Sequence, residues 1–383
     1  MTSGSLGVTG NGNVAANRTG SASVLASPPS IQPTLSEAAS SAGLVEAELA
    51  TETALAKRVR AGVARAVVGQ DVVVERILIA LLTGGHLLLQ GVPGLAKTLL
   101  VSALSKSVSL EFARVQFTID LLPADILGAE MLQEGDDGRR RFAVSKGPIF
   151  TNLLLADEIN RATPKVQSAL LEAMQERKVT IGNASHRLPT PFLVIATQNP
   201  VEQAGTFELP EAQLDRFMMC HRLKYPTKVQ ELEVLRRSLS YGLMRVDAGA
   251  NGSSTSSAGA VPKSAFDAIE DSRDSITADE LTAAMEQVQS VFVSDELLHH
   301  VMGLVERTRD HADIELGCSP RAGIALLAAA RARAWIKGRN FTVPDDIFSL
   351  CEDVLLHRMR LSYEALARGR TGPVVLRELI ETI

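Results

Sequence analysis

Cysteine is scarce in this chain: Cys220, Cys318 and Cys351 are the three present among 383 residues. An odd number at scattered spacing excludes a disulfide framework and the paired spacing of a zinc site, and a reducing cytoplasm is the expected home. Long apolar runs are missing too. A bilayer span needs about 18 such residues in a row. The stretch 77–90 is interrupted by Thr83, Gly84, Gly85 and His86, so no membrane insertion is expected. Residues 1–30 are rich in Ser, Ala, Gly and Asn but lack the charged-then-apolar order of a secretory signal. Positive charge is not in excess: 39 Lys and Arg face 44 Asp and Glu, a formal net charge of −5. No strand interleaves aromatic with basic residues, so a dedicated nucleic-acid binder is disfavoured.

The overall balance is that of a globular protein, 45% hydrophobic and 22% charged, long enough for about two domains at ~100–200 residues each. Residues 1–51 hold too few large apolar side chains to offset the entropy of ordering and read as a flexible tail. Over 52–246 the pattern alternates. Helical periods at 52–68 and 71–82 lead to a short apolar run at 86–90, then to a helix over 98–108. Further apolar runs at 149–156 and 192–197 read as strands, with a helix after Asn160 reaching Glu176. Strands alternating with helices imply a parallel sheet covered on both faces. Residues 247–276 open with a Gly, Ser and Ala stretch that reads as a linker, and 277–383 carry only helical signals. Among these are a capping box at Thr277 and Glu280, Ser319-Pro320, and Pro344 at a helix start.

The strongest chemical signal is Gly91-Val92-Pro93-Gly94-Leu95-Ala96-Lys97-Thr98, placed after a buried strand and before a helix. A triphosphate is densely anionic and needs inward backbone N–H groups, a helix N-terminus and a cation on its outer oxygens. Gly91 and Gly94 permit the tight backbone, Lys97 supplies the cation, and the Thr98 hydroxyl suits Mg²⁺. Ala96 stands where glycine is usual, which bears on nucleotide affinity. A second signal is the apolar run 153–156 ending in Asp157-Glu158, which delivers two carboxylates to the edge where open α/β sheets bind ligands. Asp157 suits Mg²⁺ and Glu158 suits polarising a water. Alone, that pair reads equally well as an acidic exit from a strand. His299 and His300 are adjacent and so on different helical faces, which makes no metal pair.

The segments 155–161 (LADEINR), 167–176 (QSALLEAMQE), 196–200 (ATQNP), 209–217 (LPEAQLDRF) and 317–322 (GCSPRA), in this order, resemble the MoxR family of AAA+ ATPases. The resemblance spans about 52–383 outside the linker. It implies an AAA+ P-loop NTPase fold, a parallel five-stranded sheet flanked by helices and followed by a small all-helical lid, with ATP and Mg²⁺ as cofactors. It further implies that Asn199 is the sensor-1 residue, and that Arg216 is an arginine finger offered to a neighbouring subunit's ATP. Arg321 is implied as a sensor-2 arginine reaching the nucleotide of its own chain, and Gly69-Gln70 as the lining of the adenine pocket. Asn199 also reads as a turn residue before Pro200, and Arg216 as an ion-pair partner of Asp215. A homo-oligomer, a ring of six, is implied by the same resemblance, with a von Willebrand A domain protein as partner and an unnamed client protein. The segment 141–149 reads as a hairpin turning at Gly147-Pro148, the helix-2 insert of this clade, and 179–188 as a hairpin before the sensor-1 strand. An AAA+ nucleic-acid motor is the runner-up, kept open by Arg139, Arg140 and Arg141. A small-molecule kinase and an ATP-binding switch without hydrolysis fit the filled acidic and arginine positions less well.

Overall fold

The computed structural model describes residues 52–92, 94–134, 140–200, 205–240 and 275–382. The expected tail 1–51, almost all of the linker 247–276, Pro93 and Arg139 lie outside the described residues. In chain order α1 (Ala54–Ala64) and α2 (Asp71–Thr83) precede β1 (Leu87–Gln90), α3 (Lys97–Ser107), β2 (Phe112–Gln116) and α4 (Pro123–Leu127). Then come β3 (Gly128–Glu134), β4 (Arg140–Lys146), β5 (Leu153–Asp157), α5 (Pro164–Glu176), β6 (Lys178–Ile181) and β7 (Ala184–Arg187). The core continues with β8 (Leu193–Gln198), α6 (Glu211–Leu214), β9 (Met219–Arg222) and α7 (Lys228–Ser240). The last third holds α8 (Ala278–Ser290), α9 (Asp295–Asp310), β10 (Ile314–Leu316), α10 (Pro320–Ile336) and α11 (Pro344–Phe348). It ends with α12 (Cys351–Leu355), β11 (Arg360–Leu361), α13 (Tyr363–Ala367) and α14 (Gly372–Glu381).

Five strands form one parallel sheet in the order β2-β5-β8-β1-β9. The three central strands are the apolar runs seen in the sequence, and their buried positions are continuous because helices cover both faces. Leu87 and Leu89 enter a core shared with α1, α2, α3 and the C-terminal helices. Leu88, one residue out of phase, enters a second core with Phe117, Leu170 and Phe192. The edge strands β2 and β9 gave no sequence signal, since β2 is half exposed and breaks the apolar run with Arg114 and Gln116.

Two expectations change. The segment 140–146 pairs antiparallel with the upstream strand 128–134, Leu132 opposite Phe142, so Gly147-Pro148 is not the turn. Gly147 instead closes the base of the hairpin, its N–H donating to the Leu127 carbonyl at 3.3 Å. The second expected hairpin is present as β6 and β7. The C-terminal region is helical as expected but also contains the two-stranded ribbon β10–β11. Its capping box is formed: the Glu280 N–H donates to Thr277 Oγ1 at 3.2 Å and the Thr277 N–H to Glu280 Oε2 at 2.9 Å.

Ion pairs at buried or half-buried positions tie this helical region to α2. Arg76 on α2 holds Asp353 at 2.6 Å, and Asp353 also meets His221 Nδ1 of β9 at 2.9 Å. Arg333 on α10 meets Asp346 at 2.7 Å and Glu75 of α2 at 3.5 Å. Breaking such a pair leaves an uncompensated charge, costing about 3–5 kcal/mol, so the network specifies one docking of helices on sheet.

His86, just before β1, is buried. Its Nδ1 accepts the Val194 N–H at 3.1 Å while Nε2 lies 3.2 Å from the Met174 carbonyl, which fits a neutral ring protonated at Nε2. Burial, with the Arg177 charge adding to it, pushes its pKa down to about 3. Below pH 6.5 the unfolded chain therefore takes up a proton that the folded chain refuses, and stability falls as pH drops from 6.5 toward 3. Chemical denaturation between about pH 7.5 and 4.5 is expected to lose stability more steeply for the wild type than for His86→Gln. The difference should be about 1.4 kcal/mol per pH unit below roughly pH 6.5; parallel slopes would contradict a neutral, buried His86. A second expectation concerns Ala96, which sits at φ 53° and ψ 29°, in the left-handed region, as the residue capping α3. An L-residue there costs roughly 1–2 kcal/mol, so Ala96→Gly should gain about 1 kcal/mol after its own entropy cost, raising Tm by roughly 2–4 °C. An unchanged or lower Tm would mean that the left-handed cap is not held.

Candidate nucleotide site

The carboxyl ends of β1, β8, β5 and β2 lie side by side, and each delivers a polar group. From β1 the chain turns through Gly91 and Val92, with the Gly91 N–H donating to the Gln198 carbonyl of β8 at 3.1 Å. Gly94 is at φ +87°, which only glycine adopts cheaply, and Leu95 is buried as an anchor before α3. Lys97 and Thr98 open α3, so the helix N-terminus backs the loop. The Lys97 ammonium donates to the Gly91 carbonyl at 2.9 Å. Burial holds its pKa below the ordinary lysine value, and the negative charges of Asp157 and Glu158 oppose that shift.

Asp157 ends β5. Its Oδ1 accepts the Thr197 hydroxyl of β8 at 2.6 Å, and Thr197 Oγ1 in turn accepts the Glu158 N–H at 2.8 Å. Its Oδ2 is paired with Arg114 of β2 at 2.7 Å. Glu158 is held at φ 57° and ψ 50°, a left-handed conformation costing of order 1–3 kcal/mol, of the kind that clusters at functional sites. Its Oε2 accepts Gln116 Nε2 at 2.8 Å and meets Arg161 Nε at 3.1 Å. Arg114 also donates to Gln116 Oε1 at 2.8 Å, so a continuous chain of polar contacts joins the two carboxylates through β2. Sequence reasoning missed Arg114, Gln116, Thr197 and Arg161. The signal available was the alternation Arg114-x-Gln116, which puts two polar side chains on one face of a strand. Asn199 is buried one residue beyond the end of β8, which lies between β1, the strand that leads into the Lys97 loop, and β5, which ends in Asp157. Gly69 and Gln70 line a concavity of about 140 Å³ with Arg60, Val63, Val74 and Arg237, at the start of α2.

The Thr98 hydroxyl and the Asp157 carboxylate are hard oxygen donors, and among the described residues no group of three or more His, Cys, Asp or Glu could hold a metal by itself. Two protein oxygens completed by phosphate and water suit Mg²⁺, which dehydrates reluctantly. The residues fit a metal shared with a nucleotide.

The two remaining arginines are elsewhere. Arg216 and Arg321 together line a concavity of about 320 Å³ with Thr83, Gly84, Gly85 and His86, the residues that precede β1. The chain from Gly85 to Gly91 runs the length of that strand, roughly 20 Å at ~3.3 Å per residue. Both arginines thus sit at the amino edge of the sheet, away from the phosphate-side loop, and Arg321 does not approach the Lys97 cluster of its own chain. Docking of α10 on α2 places Arg321 beside Asp215, at 4.0 Å. Nor is Asp215 the ion-pair partner of Arg216, since Arg358 at 2.8 Å and Ser319 Oγ at 3.2 Å engage it.

Comparison with known proteins identifies the family. Residues 86–219 match the ATPase family associated with various cellular activities, and residues 306–379 match the AAA lid domain. The chain is 39% identical to the chaperone MoxR1 of Mycobacterium tuberculosis, over 88% of this chain and 83% of that protein. It is 32% identical to the protein MoxR of Methylorubrum extorquens, over 86% of this chain and 94% of that one. A crystal structure from Cytophaga hutchinsonii, described as a candidate ATPase, superposes with a TM-score of 0.72 at 38% identity, covering 91% of this chain and 98% of the other. These alignments take in the sheet, the loop after β1 and the helical region alike, and the chain belongs to the MoxR family of AAA+ ATPases.

Proposed function

We propose that the chain hydrolyses ATP with Mg²⁺ at a site shared between copies, and that it spends the hydrolysis on remodelling a client protein. The observation that carries this is the separation of the chemistry. One edge of the sheet has a phosphate loop, a cation and two carboxylates, whose neighbouring arginines Arg114 and Arg161 are engaged by those carboxylates; the other edge carries Arg216 and Arg321. A second copy placed with its Arg216 and Arg321 against the first copy's loop completes the site, and closure of such contacts gives a ring, with six members as the family resemblance implies. Residues 52–246 serve as the ATPase core and 277–383 as the lid, with 1–51 and 247–276 outside the chemistry. The relative named as a chaperone favours a protein client, and a von Willebrand A domain partner and a cytoplasmic setting complete the reading. A nucleic-acid motor gains nothing from the structure: of its basic triplet, Arg140 is paired in register with Glu134.

In this reading Gly91 to Ala96 and the start of α3 wrap the phosphates, and Lys97 leaves the Gly91 carbonyl for their outer oxygens. Thr98 and Asp157 would hold Mg²⁺, which would supply charge neutralisation to the phosphates. Thr197 fixes Asp157 and the Glu158 backbone with one hydroxyl. Glu158 polarises the attacking water, for which its Oε2 must first be released by Gln116 and Arg161. Asn199 orients that water and a γ-phosphate oxygen. Arg216 and Arg321 of the adjacent copy meet charge developing on the transferred phosphoryl group, where a guanidinium that stays protonated is suited. Gly69 and Gln70 line the base side.

Turnover measured across a protein dilution series is expected to rise cooperatively with concentration. Glu158→Gln should bind ATP and lose roughly 100-fold or more in rate. Arg216→Ala should assemble and lose about 1000-fold, with a smaller loss for Arg321→Ala. Mixing the two inactive variants, Glu158→Gln and Arg216→Ala, should restore part of the activity, because some interfaces then pair an intact carboxylate with an intact arginine. A monomer that turns over at full rate without Arg216, or mixtures that stay inactive, would sink the shared site.

A further inference from the structure

Helix α7 is built inside out. Its polar residues Gln230, Glu233 and Arg237, at helical spacing, are its half-buried ones, and none of its described side chains is buried. Gln230 lies directly over Gly69, and Arg237 donates to the Ala64 carbonyl at 2.7 Å and the Arg65 carbonyl at 3.3 Å, capping the end of α1. The opposite stripe is mainly apolar: Val229, Leu232, Leu235 and Leu239 are 78%, 48%, 62% and 64% exposed, with the exposed Lys228 and Arg236 set among them. At about 100° per residue these side chains fall within roughly a third of the helix circumference. A surface helix normally turns such residues inward, and a cluster of exposed large apolar side chains marks an interaction site.

We infer that the stripe Val229, Leu232, Leu235 and Leu239 is the docking ridge for a second copy of this chain, seated by the face that carries Arg216 and Arg321. This rests on the shared-site reading. The polar seam of α7 packs on Gly69 and the end of α1, so its apolar stripe stands on the rim of the candidate base pocket. Gly69 and Gln70 lie at the start of α2 and Thr83, at its other end, lines the Arg216 and Arg321 concavity, so the stripe and those arginines stand at opposite ends of α2. The opposite face offers an apolar counterpart: Ile324 is 68% exposed and lines the Arg216 and Arg321 concavity with Ala325 and Ala328. Polar groups inside and apolar groups outside make sense when the outside is covered by another copy.

The test uses the full chain. Light scattering after size exclusion, with and without ATP, gives the concentration at half-assembly for the wild type and for Leu232→Glu/Leu235→Glu. Met302→Glu charges an exposed apolar residue on α9 and serves as control. The double variant is expected to raise the half-assembly concentration at least tenfold, with its thermal midpoint and its binding of a fluorescent ATP analogue as a monomer unchanged. Leu232→Ala/Leu235→Ala, which adds no charge, should move assembly the same way by a smaller factor. Assembly of the glutamate variant at the wild-type concentration, or an equal shift in Met302→Glu, overturns the ridge while leaving the shared site standing. A wild type that remains monomeric and turns over independently of concentration removes the shared-site reading, and the ridge with it.

Discussion

The arrangement depends on one constraint, that five strands run parallel with β8 between β5 and β1. Because the strands share a direction, the segments leaving β1, β5, β8 and β2 emerge at one edge, and the segments entering β1 and β9 lie at the other. The loop after β1, Asp157, Thr197 and Gln116 are neighbours for that reason. They come from segments far apart in sequence, and no local propensity brings them together. The crossover rule that makes parallel strands possible only with covering helices also supplies α3, whose N-terminus faces the loop.

The second determinant is the ionic bridge between α2, β9 and the C-terminal helices. Arg76, Asp353 and His221 form one part, and Glu75, Arg333 and Asp346 the other. Pairs removed this far from water return little net stability, but they penalise every other docking because each would strand a charge. Their consequence is positional. With α10 held on α2, Arg321 lies beside Asp215 at the amino edge, and a residue expected to serve its own nucleotide joins Arg216 on the outward face. On the shared-site reading, the chemistry is thereby divided between two surfaces of one chain, and oligomerisation becomes part of it rather than an addition to it.

The carboxylates show how a polar site is kept ready before a ligand arrives. Asp157 is shared by Thr197 and Arg114, Glu158 by Gln116 and Arg161, and Lys97 rests on a carbonyl of its own loop. Each group thus has a partner within the chain, and on the proposed reading a nucleotide would replace it. The left-handed backbone at Ala96 and Glu158 stores strain at the same edge, where loops rather than strands set the geometry.

Sequence alone was enough for the elements whose signals are local. Buried apolar runs marked β1, β5 and β8, glycines and a lysine before a helix marked the turn from β1 into α3, and Thr277 with Glu280 marked a helix start. Asp157 and Glu158 were legible in the same way, as an acidic strand end. Elements with mixed surroundings were not: β2 carries Arg114 and Gln116 on a half-exposed edge, and β3 pairs with β4 through side chains that are mostly exposed. The inverted face of α7 was equally hidden, since periodicity reports that a helix has an apolar side but not which side meets the protein. Tertiary structure was needed to settle which edge each arginine occupies, which partners hold the carboxylates and which apolar stripe stays uncovered. Those outcomes depend on contacts between residues distant in sequence, fixed by strand order and by buried charges that tolerate one arrangement.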